Sequence, residues 1–135
     1  MTPDEFVVAI ENVVYSATVD GAVADLRDGP PGRDPHPRLR ALHEWYDALE
    51  AADQRMVAEV VRDAAHAAVF RFLCVLDGVV AIDDPPHEQL RVLAVGADGR
   101  EIAVNGDASS DDLHDKFNAR VHPPSDVWPP NGSTL

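Results

Sequence analysis

The first stretch of the chain carries apolar residues at the three-and-four-residue spacing of an amphipathic helix. Thr2, Pro3 and Glu5 precede the pattern and form the signature of a helix start, with a capping side chain, a proline in the first turn and a capping box. One bent helix or two short helices would agree with the pattern, which continues to about residue 26. Because Asp20 can act as a new cap, we expect two helices with a break near Asp20.

Two further helices are predicted after a loop at residues 28–37. The loop contains four prolines and two glycines, which exclude a helix or an interior strand. Beyond it, two runs of apolar residues at helical spacing predict a helix of about thirteen residues and then a longer one, arranged as a helical hairpin. The expected inward positions are Leu39, Leu42, Trp45, Tyr46 and Leu49 in the first helix, and Met56, Val57, Val60, Val61, Ala64, Ala67, Ala68 and Phe72 in the second.

The later part of the chain predicts strands and one short helix. Residues 79–82 are apolar and β-branched and are expected to form a short buried strand. Residues 90–95 and 101–104 flank Asp98-Gly99, which is a strong signal for a β-hairpin. Ser109 or Ser110 is expected to cap a helix at 111–118.

These elements define an α+β fold in which N-terminal helices, including the helical hairpin, pack on a small, mostly antiparallel sheet. A short C-terminal helix follows the sheet. Residues 1–122 are expected to form a single domain, because the 25 or so residues before the loop are too few for a separate core. Residues 123–135 form an irregular, proline-rich C-terminal tail that contains Trp128. We expect Trp128 to cover the chain's own core or to bind a partner.

The charge balance narrows the range of partners. The chain has 11 basic and 24 acidic residues, a net charge of −13 with histidine neutral. Because phosphate contacts need clustered Lys and Arg, nucleic acid is not an expected partner.

The apolar run at 64–82 is interrupted by His66, Arg71 and Asp77, so no membrane span is expected there. The acidic N-terminus does not match a secretory signal, and the predicted location is the cytoplasm. The single cysteine, Cys74, is expected to be buried.

One motif could bind a metal. His43 and Asp47 stand four residues apart on a predicted helix, like a zinc motif whose second histidine is replaced by aspartate. A catalytic zinc needs a third protein ligand, and His66 or His114 could supply it from a distance. The alternative is that His43 and Asp47 lie on the solvent side of the helix, so the sequence assigns no metal and no cofactor.

A second arrangement pairs Asp111 with His114 at a spacing of three residues. A carboxylate at that distance could hold the imidazole in one tautomer for base catalysis, or the two residues could form a surface pair. No serine or cysteine lies in the context of an activated nucleophile. The sequence therefore assigns no catalytic residue and favours a protein that is not an enzyme.

Three stretches of the chain carry a resemblance: LHEWY (42–46), FRFLCVLDG (70–78) and DLHD (112–115). They resemble small bacterial proteins of uncharacterised function, and with the residues between them the resemblance covers about half of the chain. The resemblance implies no activity, and no site residue is transferred from it.

Three functions are compatible with these patterns. The first is an acidic protein-binding domain, such as an immunity or antitoxin-like protein that masks a basic partner, because a strong negative field accelerates encounter with a basic surface. The second is a small metal-dependent hydrolase that uses His43 and Asp47. The third is a self-associating structural subunit, a homo-oligomer in which Trp45 or Tyr46 serves the interface.

Overall fold

The structure, a computed structural model, describes residues 1–108 and 110–121. The described residues form five α-helices, one π-helical segment and two strands. In chain order these are α1 (Pro3–Ile10), the π-helical segment (Glu11–Ser16), α2 (Ala17–Asp28), α3 (Pro37–Asp47), α4 (Ala51–Leu76), β1 (Leu93–Val95), β2 (Glu101–Ala103) and α5 (Leu113–Val121). The α+β fold class expected from the sequence is confirmed.

The N-terminal helix begins as the sequence predicts. The Thr2 hydroxyl accepts a hydrogen bond from the Glu5 backbone N–H at 3.2 Å, and the Glu5 carboxylate accepts one from the Thr2 N–H at 2.7 Å. The pKa of Glu5 is lowered, because hydrogen bonds from the backbone and the side chain of Thr2 to the Glu5 carboxylate favour its charged form.

The expected break near Asp20 is wrong, because α1, the π-helical segment and α2 form one continuous helix from Pro3 to Asp28. Val7 and Val19 lie on either side of the π-helical segment, twelve positions apart, and both are buried. In a regular α-helix they would point about 120° apart, whereas one extra residue in a π turn reduces this to about 20°. The π-helical segment therefore keeps both valines on the inward side of one helix.

The same helix is long enough and apolar enough to cross a membrane, judged by length and composition. In this fold it also supplies core residues. Val7, Leu73, Leu113 and Phe117 form the central apolar cluster, and Phe6 and Tyr15 pack against it together with parts of α4 and α5. Two charge pairs, Lys116 with Asp4 and Arg120 with Glu11, join α5 to the outer side of the N-terminal helix.

The sequence predicts that α3 packs against α4 as a hairpin, but this is not among the main helix contacts. Helix α3 packs mainly against α2, and α2 also contacts α4. Helix α5 packs against α1 and α4. Because α3 uses one side against α2, Tyr46 is buried while its neighbour Trp45 is 52 % exposed.

Several residues expected to face inward therefore lie on the surface. Leu39, Leu42 and Trp45 of α3 are exposed. In α4 the inward positions are instead Val69, Phe70, Leu73 and Leu76, and the expected stripe faces outward in part: Met56, Val60, Ala64, Ala67, Ala68 and Phe72 are exposed. The sequence pattern identified these helices correctly but did not show which side meets a neighbour.

The β-hairpin is confirmed, with Leu93, Ala94 and Val95 of β1 opposite Ala103, Ile102 and Glu101 of β2. Gly99 has a φ of 79°, which a residue with a Cβ adopts only with strain, so this glycine closes the turn. The expected strand at 79–82 is wrong. The backbone N–H groups of Val79 and Val80 both donate to the Cys74 carbonyl, which folds this segment back on the end of α4.

Asn105 ties the hairpin to the helical part of the molecule. Its buried side-chain amide donates to the carbonyl oxygens of Leu76 at 2.5 Å and Leu90 at 3.0 Å, and its carbonyl oxygen accepts from the Val92 N–H at 2.8 Å. One side chain thus links the end of α4 to two backbone positions in the segment that leads into β1.

Replacing Asn105 with alanine is expected to lower the free energy of unfolding by about 2–3 kcal/mol, because three partly buried backbone groups lose their partner. Hydrogen exchange measures the effect locally: the Val92 and Val104 amides should exchange faster than in the unchanged chain. Exchange at both amides that matches the unchanged chain would contradict this role.

Candidate functional site

The most distinctive polar arrangement joins the end of α4 to the start of α5. Asp77 follows α4, where Gly78 adopts a φ of 76° and turns the chain. The Asp77 side chain is 1 % exposed. Its Oδ2 accepts hydrogen bonds from the His114 backbone N–H at 3.0 Å and from His114 Nδ1 at 2.8 Å. Asp77 therefore supplies an N-terminal partner for α5 and fixes the orientation of its histidine.

The His114 imidazole lies between two carboxylates. An ionised carboxylate only accepts hydrogen bonds, so Nδ1 carries the proton that faces Asp77. The opposite nitrogen, Nε2, lies 3.6 Å from Oδ1 of Asp115, beyond hydrogen-bond distance. One ring edge contacts Phe70, with ring centroids 5.5 Å apart in an edge-to-face arrangement. The imidazole is therefore held firmly and keeps one nitrogen available for a proton or a ligand.

Asp112 completes a group of three possible ligands. One side-chain ligand atom from each of Asp112, His114 and Asp115 lies within 4.8 Å of the other two. The Asp112 backbone carbonyl also accepts from the Lys116 N–H, so the residue stands at the first turn of α5. Asp112 and Asp115 are exposed, and His114 is buried.

Asp111, which the spacing pairs with His114, lies beside this group. It borders a small recess together with Asp77, Asn105 and Ser110. The carboxylate that holds His114 is Asp77, 37 residues earlier in the chain. Sequence reasoning missed Asp77 because Asp77-Gly78 also matches an ordinary helix end. A buried aspartate at a helix end, with a histidine in a later helix, is the signal that could have found it.

His43 and Asp47 occupy different surroundings. His43 Nδ1 lies 2.8 Å from the carbonyl oxygen of Leu26, near the end of α2, and Asp47 is exposed as the last residue of α3. His66 hydrogen bonds to Asn118 and stacks on Phe117. Within residues 1–108 and 110–121, His43 and Asp47 do not join a group of three possible ligands. A metal role for His43 and Asp47 stays a prediction. Trp128, which the sequence suggests as a partner-binding residue, lies outside the described residues.

Cys74 is buried at the end of α4, as the sequence predicts. Burial raises the pKa of its thiol, and the nearby negative charge of Asp77 adds to the shift. A raised pKa keeps the thiol protonated, and the thiolate is the nucleophile.

We therefore expect Cys74 to react with a disulfide reagent at pH 8 at least about tenfold more slowly in the folded chain than in denaturant. In the folded chain the reaction rate of Cys74 should continue to rise with pH above the pH range in which an ordinary thiol loses its proton. Equal rates in the folded and unfolded chain would contradict a buried thiol.

Comparisons of the chain with protein-family models, curated proteins and solved structures found no match.

Proposed function

We propose that the protein is a non-catalytic, acidic binding domain that associates with a basic protein. The net charge of −13 supports this function, because it produces a broad negative field that attracts a basic surface. An immunity or antitoxin-like protein that masks a basic partner would act in this way.

The observation that carries the proposal is the half-exposed Trp45 on α3. Large aromatic residues are enriched among the side chains that dominate binding energy at protein interfaces. Leu42 lies one turn earlier and is also exposed, so the two residues are neighbours on the helix surface. They give this side of the molecule an apolar anchor.

Acidic residues follow the anchor along the chain. Between positions 44 and 54 there are four acidic residues and no basic one. All four are exposed. We call Leu42, Glu44, Trp45, Asp47, Glu50 and Asp53 the α3 surface. An apolar anchor with nearby acids fits a partner that presents an apolar pocket bordered by Lys and Arg.

A concave groove adjoins the α3 surface where α3 meets the end of α2. Its apolar lining comes from Ala22, Leu26, Pro30, Leu39 and Leu42, and Asp25 adds a negative charge. A side chain from a partner that contacts Leu42 could extend into this groove. The groove and Trp45 together offer a larger apolar contact than either alone.

The proposal is tested by comparing capture from an extract of the source cell with three forms of the full chain. The unchanged chain should retain one basic protein in stoichiometric amount, and Trp45→Ala should retain at least about tenfold less, since a central aromatic anchor contributes 2 kcal/mol or more. Phe72→Ala is the matched control, because Phe72 is an aromatic residue of similar exposure on α4.

Circular dichroism should show that both variants keep the helical content of the unchanged chain. Retention of the basic protein by Trp45→Ala at the level of the unchanged chain would contradict the role of the α3 surface. Retention of many proteins weakly, or of none, would contradict the function itself.

A second candidate function, a self-associating structural subunit, is favoured by the outer side of α4. Met56, Val60, Ala64 and Ala67 recur there at helical spacing and are exposed. Sedimentation velocity of the full chain tests it. A dimer that Val60→Asp dissociates and the equally exposed Val95→Asp preserves would support self-association. A monomer at all concentrations would contradict it.

A further inference from the structure

We propose that Asp112, His114 and Asp115 bind one divalent transition-metal ion of the zinc class at the start of α5. The inference concerns a surface separate from the α3 surface and does not depend on the proposed binding partner. It is carried by the distances among the three side chains and by the way His114 is held.

The distances agree with a common metal. Zinc accepts histidine nitrogen and carboxylate oxygen at about 2.0–2.2 Å, so two ligands of a tetrahedral ion lie about 3.4 Å apart. His114 Nε2 and Asp115 Oδ1 are 3.6 Å apart, and one ligand atom from each of the three residues lies within 4.8 Å of the other two. Rotation of the exposed Asp112 side chain can shorten its distances. Three protein ligands would leave a fourth position open for water.

An independent observation also points to a ligand at Nε2. The His114 side chain is 11 % exposed, its Nδ1 is engaged by the buried Asp77, and its Nε2 makes no hydrogen bond to a described residue. Metal-binding histidines commonly donate a hydrogen bond from their second ring N–H to a carboxylate. This hydrogen bond fixes the tautomer and makes the ligating nitrogen more basic. Asp77 stands in that position, on a different element from the three ligands.

The acidic residues around the three ligands favour a cation, whereas the positive end of α5 opposes one. Asp77 and Asp111 lie beside the three ligands, and the nearest lysine, Lys116, is engaged with Asp4 at 2.9 Å. The positive end of α5 opposes a cation, but an effect of about 0.3–1 kcal/mol is small beside direct ligation. The competing occupant of Nε2 is a proton, which would make His114 an imidazolium ion between Asp77 and Asp115.

Titration of the full chain with Zn²⁺ after removal of metal by a chelator distinguishes the two occupants. Calorimetry and metal analysis after gel filtration should both give about one equivalent. His114→Ala and Asp115→Asn should each weaken binding at least about tenfold, and Asp77→Asn should weaken it by about 10–100-fold through the loss of the supporting hydrogen bond. Asp115 is exposed, so Asp115→Asn tests the site without disturbing the core.

The matched control is His87→Ala. His87 Nδ1 also contacts an aspartate, Asp83, at 3.3 Å, but the described residues provide no third ligand there. This variant should bind Zn²⁺ like the unchanged chain. Binding of less than about 0.1 equivalent, or equal binding by His114→Ala and Asp115→Asn, would overturn the proposal and leave a proton on Nε2.

Discussion

Replacing Phe117 with alanine is expected to lower the free energy of unfolding by about 3–5 kcal/mol, which is the largest effect of any single change considered. Phe117 is 0 % exposed and belongs to the central apolar cluster with Val7 of the N-terminal helix and Leu73 of α4. Its ring lies edge-to-face with Tyr15 at 5.7 Å and stacks with His66 at 5.6 Å. The substitution would leave a cavity where α5 meets the N-terminal helix and α4.

Urea denaturation followed by circular dichroism measures this loss. Phe72→Ala serves as the control, because Phe72 is 60 % exposed on α4 and should lose less than about 1 kcal/mol. Similar losses in the two variants would show that Phe117 is not the centre of the core.

The second large effect is expected from Asp77→Ala, with a loss of about 3 kcal/mol. The substitution removes a buried carboxylate and leaves both the His114 backbone N–H and its Nδ1 without their partner. The first turn of α5 should also fray, since Asp77 acts there as a capping group from another element.

Asp83→Ala is a close control for this prediction. The Asp83 carboxylate is hydrogen bonded to the His87 imidazole and accepts a hydrogen bond from the Glu88 backbone N–H. Asp77 makes the same two kinds of contact, both with His114. The difference is exposure, because the Asp83 pair lies at the surface. We expect less than about 1 kcal/mol from Asp83→Ala. An equal loss in both variants would contradict the importance of burial.

Local signals in the sequence predicted the elements that local interactions determine. The capping box at Thr2 and the Asp98-Gly99 turn are formed by residues within a few positions of one another, so their chemistry is visible in the letters. The same holds for the existence of α3, α4 and α5, although the start of α5 differs by two residues from the prediction.

Features that depend on tertiary packing could not be predicted. Periodicity showed that α3 is amphipathic, but the choice between Trp45 and Tyr46 depends on where α2 lies. The π-helical segment turns the buried Val7 and Val19 toward nearly the same side of one helix, which no local spacing rule predicts. Residues 79–82 have the composition of a strand, but hydrogen bonds to the end of α4 hold Val79 and Val80 instead.

The candidate site shows the same division. His114 and Asp111 were singled out by spacing, and the structure places His114 at the centre of the polar group. Its principal partner, Asp77, is 37 residues away and was beyond the reach of spacing rules. His43 and Asp47 had the most suggestive motif, but His43 contacts a backbone carbonyl of α2.

The acidic charge and the α3 surface together support binding to a basic protein, and the salt dependence of capture tests this most directly. The full chain should retain one basic protein from an extract of the source cell at low salt and release it at about 0.5 M salt, where charge attraction is screened within a few ångströms. Retention that is unchanged at about 0.5 M salt, or the absence of a basic protein at low salt, would contradict the proposed function.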